Sequence, residues 1–278
     1  KKYRINYKPS LFVPVGKETK YKTLDGRYVE RIKFDSMPEA TKWVNEYKNV
    51  TNFEYFGNTR HQYPFIADEF KGKVKWDINQ IKILTVDIEC ESENGFPSPE
   101  KADQPLICIT VKDHISKKII VFGIGSFVND REDVQYIDCV TEQGLVETFT
   151  KFWVEYSPNI ITGWNVKFFD IPYLMNRFRY LMGDEWINQY SPWGIVEQKQ
   201  SLTGFAGNSR EQQVWNIMGV DTVDYLDLYR KFTFVRRESY KLDYIGEVEL
   251  GQNKLENPYD TFKEFYSNDY QRFVEYNI

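Results

Sequence analysis

The stretch Ile81-Lys82-Ile83-Leu84-Thr85-Val86-Asp87-Ile88-Glu89-Cys90 decides how this chain is read. Its β-branched residues predict a strand, and Ile83, Leu84, Val86 and Ile88 make that strand apolar on both faces, as in a buried central position. Asp87 and Glu89 stand two apart, so both side chains leave the same face of the sheet. Neighbouring carboxylates repel unless a cation lies between them, and a divalent ion with oxygen ligands suits a buried acidic pair. The pattern alone leaves a second reading open, because 41 acidic residues in 278 give roughly six acid-x-acid pairs by chance.

Further strands are predicted downstream at residues 106–111, 118–122 and 134–140, with Gly, Asp and Asn between them. Glu142–Tyr156 places Leu145, Phe149, Trp153 and Tyr156 at helical spacing. A strand at 159–163 and a helix from about Ile171 to Met182 follow. This order predicts a mixed α/β fold, a mixed sheet flanked by helices. Residues 191–215 are punctuated by Gly194, Gly204, Gly207-Asn208 and Ser209, as in an extended hairpin. Residues 220–226 return to strand, and 240–248 and 258–278 read as helices. Residues 1–76 read as a smaller β-rich domain with one helix near Met37–Tyr47. The opening alternation Tyr3, Ile5, Tyr7 predicts a strand already under way, and the close at Tyr276-Asn277-Ile278 lies in a helix without a stop signal. Both ends are therefore expected to be those of a piece of something longer.

Composition narrows the function classes. With 41% hydrophobic and 28% charged residues, the chain is globular rather than disordered. No apolar run reaches the roughly 18 residues of a membrane span, so no membrane partner is expected. Cys90, Cys108 and Cys139 form no CxxC pair, and with only His61 and His114 besides, a structural zinc site is poorly supplied. Such cysteine usage suits a reducing, cytoplasm-like compartment. The net charge of −5 argues against a protein that coats nucleic acid by bulk attraction. It is uneven, however: residues 1–76 carry +7 and residues 77–278 carry −12. A basic segment can touch phosphates and an acidic remainder can collect divalent cations, although two solvated surfaces of opposite sign account for the same numbers.

Asp170 ends the run Thr162-Gly163-Trp164-Asn165-Val166-Lys167-Phe168-Phe169-Asp170. Taken alone it reads as the N-cap of the following helix, with Pro172 in the first turn. In order along the chain, however, Asp87-Ile88-Glu89 fits a D-x-E motif, Asn165 to Asp170 an N-x-x-x-F-D motif, and Tyr276 the start of Y-x-x-x-D, whose aspartate would be the second residue past Ile278. These motifs resemble the proofreading 3′→5′ exonuclease region of family B DNA polymerases, especially those of T-even-like bacteriophages. Supporting blocks are Gly95-Phe96-Pro97-Ser98-Pro99, Asp224-Tyr225-Leu226-Asp227-Leu228-Tyr229, Ser239-Tyr240-Lys241-Leu242-Asp243-Tyr244-Ile245 and the opening Tyr7-Lys8-Pro9-Ser10-Leu11-Phe12.

The resemblance implies a ribonuclease-H-like exonuclease domain over 77–278, ending before its third motif is complete, and part of a polymerase N-terminal domain over 1–76. It implies two Mg²⁺ or Mn²⁺ ions held by Asp87, Glu89 and Asp170, with Asp87 bridging both. Glu89 would serve the ion that binds the attacking water and Asp170 the other, while Tyr276 orients that water. Phe96, Trp164 and Asn165 resemble positions that meet the frayed 3′ end of single-stranded DNA, although core packing is the plainer reading of both aromatics. The glycine-punctuated segment corresponds in place to a hairpin that helps part primer from template. Palm, fingers and thumb would be partners elsewhere, RNA a partner of the N-terminal domain, and the cytoplasm of an infected bacterial cell the setting. Two other readings remain: a single-stranded nucleic-acid-binding module without catalysis, and a free-standing nuclease of the same architecture. The block from Tyr7 to Phe12 argues against the latter.

Overall fold

The computed structural model describes residues 5–72, 75–92, 95–203, 210–253, 255 and 257–278. The chain divides into two compact units, residues 1–76 and 77–278.

In the smaller unit β1 (Ser10–Pro14), β2 (Tyr21–Lys22) and β3 (Tyr28–Lys33) form an antiparallel sheet in the order β1-β3-β2. Helix α1 (Met37–Tyr47) begins where expected, because Ser36 Oγ accepts the Glu39 N–H and Pro38 fits the first turn. Its Trp43 packs against Phe34, Tyr47, Phe53 and Tyr55, beside the buried Leu11 and Ala40. A second helix, α2 (Gln62–Glu69), was not expected; it buries no side chain completely and so lacks a clear apolar stripe. The predicted opening strand is corrected too. Residues 5–9 are not in a strand, and Tyr7 is instead buried with its hydroxyl donated to Asp68 Oδ2 at 2.8 Å. Tyr3 lies outside the described residues.

The larger unit holds β4 (Ile83–Cys90), β5 (Leu106–Asp113), β6 (Ile119–Gly123), β7 (Val134–Asp138), β8 (Ile160–Gly163), the β9 (Val196–Thr203) and β10 (Arg210–Ile217) hairpin, and β11 (Asp221–Asp224). Six of them make one mixed sheet in the order β11-β8-β4-β5-β6-β7. Strand β5 is antiparallel to β4 and β6, whereas β8 runs parallel to β4 and β11. The mixed α/β class is as the sequence predicted.

Helices α3 (Glu142–Tyr156) and α4 (Asp170–Met182) cover one face of this sheet. Leu145, Val146, Phe149 and Trp153 of α3, with Ile171, Leu174, Met175 and Phe178 of α4, meet Leu84, Val86, Ile88, Ile109 and Phe122. Helix α5 (Tyr225–Phe232) follows β11 directly, and α6 (Leu242–Leu250) comes next. The predicted helix at 258–278 is two helices, α7 (Phe262–Asn268) and α8 (Tyr270–Tyr276), because Asp269 starts a new one by accepting the Arg272 N–H. Phe265, Phe273 and Val274 of this pair bury against Ile107, Cys108, Ile119 and Val121. Of the hairpin tip, Gly204, Gly207-Asn208 and Ser209 lie outside the described residues. Its strands pair from Val196↔Ile217 to Thr203↔Arg210.

Candidate functional site

Strand β4 is central, but it is not apolar on both faces. Leu84, Val86, Ile88 and Cys90 are buried beneath α3 and α4, while Asp87 is exposed and Glu89 half-buried on the other face. The expectation of a buried acidic pair is corrected accordingly: strict alternation wins, and the carboxylates sit where solvent reaches them. Opposite them in β5 are Thr110 and Cys108, so the acids share a face with the apolar cluster under α7 and α8. The ladder slips by one residue between Glu89 and Cys90, which lets both Ile107 and Cys108 join that cluster.

Where β8 leaves the sheet, Asp170 enters it. The β4–β8 ladder ends at Thr85↔Thr162, and the Ile88 N–H donates to Asp170 Oδ1 at 3.2 Å. Asp170 is the first residue of α4 and not its N-cap, which is Phe169. Its carboxylate therefore serves the neighbouring strand, a use that the cap reading missed. Burial pushes the Asp170 carboxyl well above the usual carboxylate range, and the charge of Asp87 pushes it further; backbone hydrogen bonds at Asp170 and Ile88 oppose this, and Glu89 adds to it. Carboxylates from two distant motifs are thereby brought into electrostatic contact at the C-terminal half of β4.

The approach to Asp170 is tightly specified. A Cβ on Gly163 would stand 2.6 Å from the Val86 carbonyl oxygen, so only glycine lets β8 end this close to β4. Asn165 adopts φ +65°, and its carbonyl accepts the N–H groups of Phe168 (3.1 Å) and Phe169 (3.0 Å), turning the chain into α4. Asp224 holds this turn from outside: its Oδ1 accepts the Asn165 N–H at 3.1 Å and its Oδ2 the Lys167 N–H at 3.0 Å. Sequence reasoning missed Asp224 as a member of the site. The available signal was an aspartate joining a strand to a helix.

The two aromatics differ sharply. Phe96 is 85% exposed, with its ring centroid 5.3 Å from that of Phe169, next to Asp170. Trp164 is half-buried, donates its indole N–H to the Tyr240 carbonyl at 3.1 Å and packs on Tyr225 and Tyr229. It ties α5 to the turn. Tyr276 ends α8, edge-on to Phe265 at 5.7 Å. Helix α8 is anchored at its start, where Tyr270 Oη accepts the Ile124 N–H at 3.0 Å and its ring fills space that a Cβ on Gly125 would invade.

Among the described residues, no three His, Cys, Asp or Glu side chains form a ready-made cage for a metal ion. The donors at β4 are all carboxylate oxygens, and Mg²⁺ is commonly held by one or two carboxylates with substrate phosphates completing the shell. The crowding that drives Asp170 toward its neutral form is what a cation would relieve. The residues fit a hard divalent ion shared with a phosphate-bearing substrate. Cys90 and Cys108 are buried thiols whose pKa values burial pushes up to about 12, so neither suits nucleophilic or metal chemistry. No helix among the described residues is long and apolar enough to cross a membrane.

The chain is similar to the DNA-directed DNA polymerase of Escherichia phage RB69, 30% identical over 99% of this chain and 33% of the relative. The corresponding enzyme of Enterobacteria phage T4 is 28% identical over 99% of this chain and 32% of its own length. The DNA polymerase delta catalytic subunit of Caenorhabditis elegans is 27% identical over 70% of the chain and 18% of the relative. The chain thus spans about a third of the length of the phage polymerases it matches. Residues 39–245 match the family model described as DNA polymerase family B, exonuclease domain, and the chain belongs to that family.

Proposed function

We propose that this chain is the proofreading 3′→5′ exonuclease portion of a phage replicative DNA polymerase, acting in the cytoplasm of an infected bacterial cell. The substrate is the 3′-terminal phosphodiester of single-stranded or frayed DNA. In this reading residues 1–76 belong to the polymerase N-terminal domain and residues 77–278 to the exonuclease domain. Palm, fingers and thumb are their partners.

One observation carries the reading: Asp170, at a helix start, accepts the N–H of Ile88, the residue between Asp87 and Glu89 on β4, and feels the charge of both. In the proposed site Asp87, Glu89 and Asp170 would hold divalent ions, two Mg²⁺ or Mn²⁺ in the complete site. Such ions, when bound, lower the pKa of water and stabilise a leaving oxygen. The Ile88 N–H holds Oδ1 of Asp170 against β4. Phe96, tilted against Phe169 and largely exposed, would offer its ring to the terminal base; stacking accepts any base, as proofreading requires. Trp164 and Asn165 shape the floor beneath that base. The Tyr276 hydroxyl, able to donate and accept, orients the attacking water.

The test uses the full-length protein and 5′-labelled primers. Mg²⁺-dependent shortening by single nucleotides from the 3′ end is expected, faster on single strands and mismatched ends because these cost less to unpair. Equal rates on matched and mismatched ends count against proofreading, and degradation that ignores chelation of divalent metal sinks the mechanism.

A further inference from the structure

The turn that delivers Asp170 is held by a residue outside the three motifs. Asp224 is the last residue of β11, which pairs in parallel with β8 so that Asp224 lies across from Gly163. Its side chain is buried and its two oxygens accept three backbone N–H groups: Leu226 at 2.9 Å, Asn165 at 3.1 Å and Lys167 at 3.0 Å. The Leu226 bond is an ordinary N-cap for α5. The other two are not needed by α5 at all. They grip the turn at 165–167 on either side of Val166, which is itself buried in the core. From there the Val166 carbonyl accepts the Ile171 N–H at 3.0 Å, which sets the first turn of α4 and with it the place of Asp170.

We infer that Asp224 is a positioning residue of the proposed exonuclease site: its carboxylate clamps residues 165–167 so that Asp170 and Phe169 meet ion and substrate in register. This rests on the function proposed above. The physical reason is that Asn165 holds a left-handed backbone conformation, uncommon outside glycine although asparagine tolerates it better than most residues. A carboxylate accepting N–H groups on both sides of Val166 adds hydrogen bonds that favour this turn over other conformations. A neutral cap could start α5 but has too few acceptors to clamp the turn as well.

The test separates the two jobs. Asp224→Ser keeps an N-cap acceptor for α5 and removes the reach to Asn165 and Lys167; Asp224→Asn keeps one oxygen and turns an amide N–H toward that of Lys167. In the full-length protein with single-stranded DNA, both variants are expected to lose kcat about 10- to 100-fold, as when partners of metal ligands are removed elsewhere, with KM within about twofold. Mn²⁺ affinity, measured by titration without DNA, is expected to weaken about 10-fold or more. Amide hydrogen exchange at Asn165 and Lys167 is expected to accelerate while that of α3 stays as in the wild type. Wild-type kcat in both variants, or a loss confined to KM, overturns the inference. Should Asp224→Ser fold too poorly to assay, Asp224→Asn decides by the same readouts. If the wild-type protein degrades no DNA from the 3′ end, the functional reading falls, and Mn²⁺ affinity with amide exchange still decides the role of Asp224.

Discussion

Asp170 and Asp224 are buried almost equally, 3% and 5% exposed, and each stands where a helix meets the end of the sheet. Their surroundings are opposite. Asp224 is surrounded by backbone N–H groups, from Asn165, Lys167 and Leu226. Asp170 accepts the Ile88 N–H but faces the charges of Asp87 and Glu89. A carboxylate met by donors is a fastening, and it is complete without any ligand. One that is buried against like charges still gains from a proton or a cation. The difference sets a structural acid apart from a candidate ligand more clearly than burial does.

The largest expected effect comes from removing a member of the crowded group. Asp87→Ala in the full-length protein should lower 3′→5′ degradation by about 10³-fold or more, at least as much as losing one transition-state donor in other enzymes. The fold should persist, since the change also relieves the pressure on Asp170. Activity within tenfold of wild type breaks the contrast.

The paired side can be broken next. Glu142 is held by Arg177, whose Nε and Nη2 donate at 2.7 Å each, and both side chains are largely buried. Arg177→Met strands that carboxylate with the Leu106 N–H alone and should cost about 3 kcal/mol in urea titration. A cost below 0.5 kcal/mol, by order of magnitude that of a surface pair, would show that Glu142 needs no partner.

Phe96 sharpens the comparison from the substrate side. Because its ring is 85% exposed, Phe96→Ala should leave thermal stability near wild type. Affinity for a single-stranded 3′ end should fall by about 1–3 kcal/mol, the usual worth of one stacked base. Unchanged affinity in a fluorescence titration would return Phe96 to the role of a surface aromatic.

The smallest effect tests pH. Burial works against the Asp113 carboxylate, yet hydrogen bonds from Ser116, Tyr156 and the Ile115 and Ser116 N–H groups hold its pKa down from 3.8 to about 2. A depressed carboxylate stabilises the fold above its unfolded pKa, and this contribution is lost as pH falls from near 3.8 through about 2. Asp113→Asn should therefore cost about 1 kcal/mol at pH 7, and the cost should shrink as the pH falls below 3.8 through about 2. A cost that does not change with pH would mean that shape, not charge, matters at this turn.

Much of the site was legible in sequence because its members are short motifs with strong local grammar. A strand period of two puts Asp87 and Glu89 on one face whatever surrounds them. The run from Asn165 to Asp170 announced a turn into a helix, and Glu142–Tyr156 reads as a helix from Leu145, Phe149 and Trp153 alone. Less legible was which face of β4 is covered. Ile83 and Thr85 look as apolar or β-branched as Leu84 and Val86, yet only the latter pair is buried, since α3 and α4 lie on that side. Helix α2 escaped for a related reason: with no side chain fully buried, its period is faint.

The sequence by itself determined which residues are candidates for chemistry, because alternation along a strand and hydrogen bonds at turns are settled by neighbours a few positions away. Only the tertiary structure decided how those residues act together. Asp170 lies 82 positions from Ile88, and Asp224 lies 59 from Asn165. Their hydrogen bonds exist because β8 lies between β4 and β11, leaves the β4 ladder at Thr162 and ends at Gly163, across from Asp224. Local spacing cannot encode that neighbourhood; it arises when the sheet closes over its core and leaves particular N–H groups without a strand to pair with.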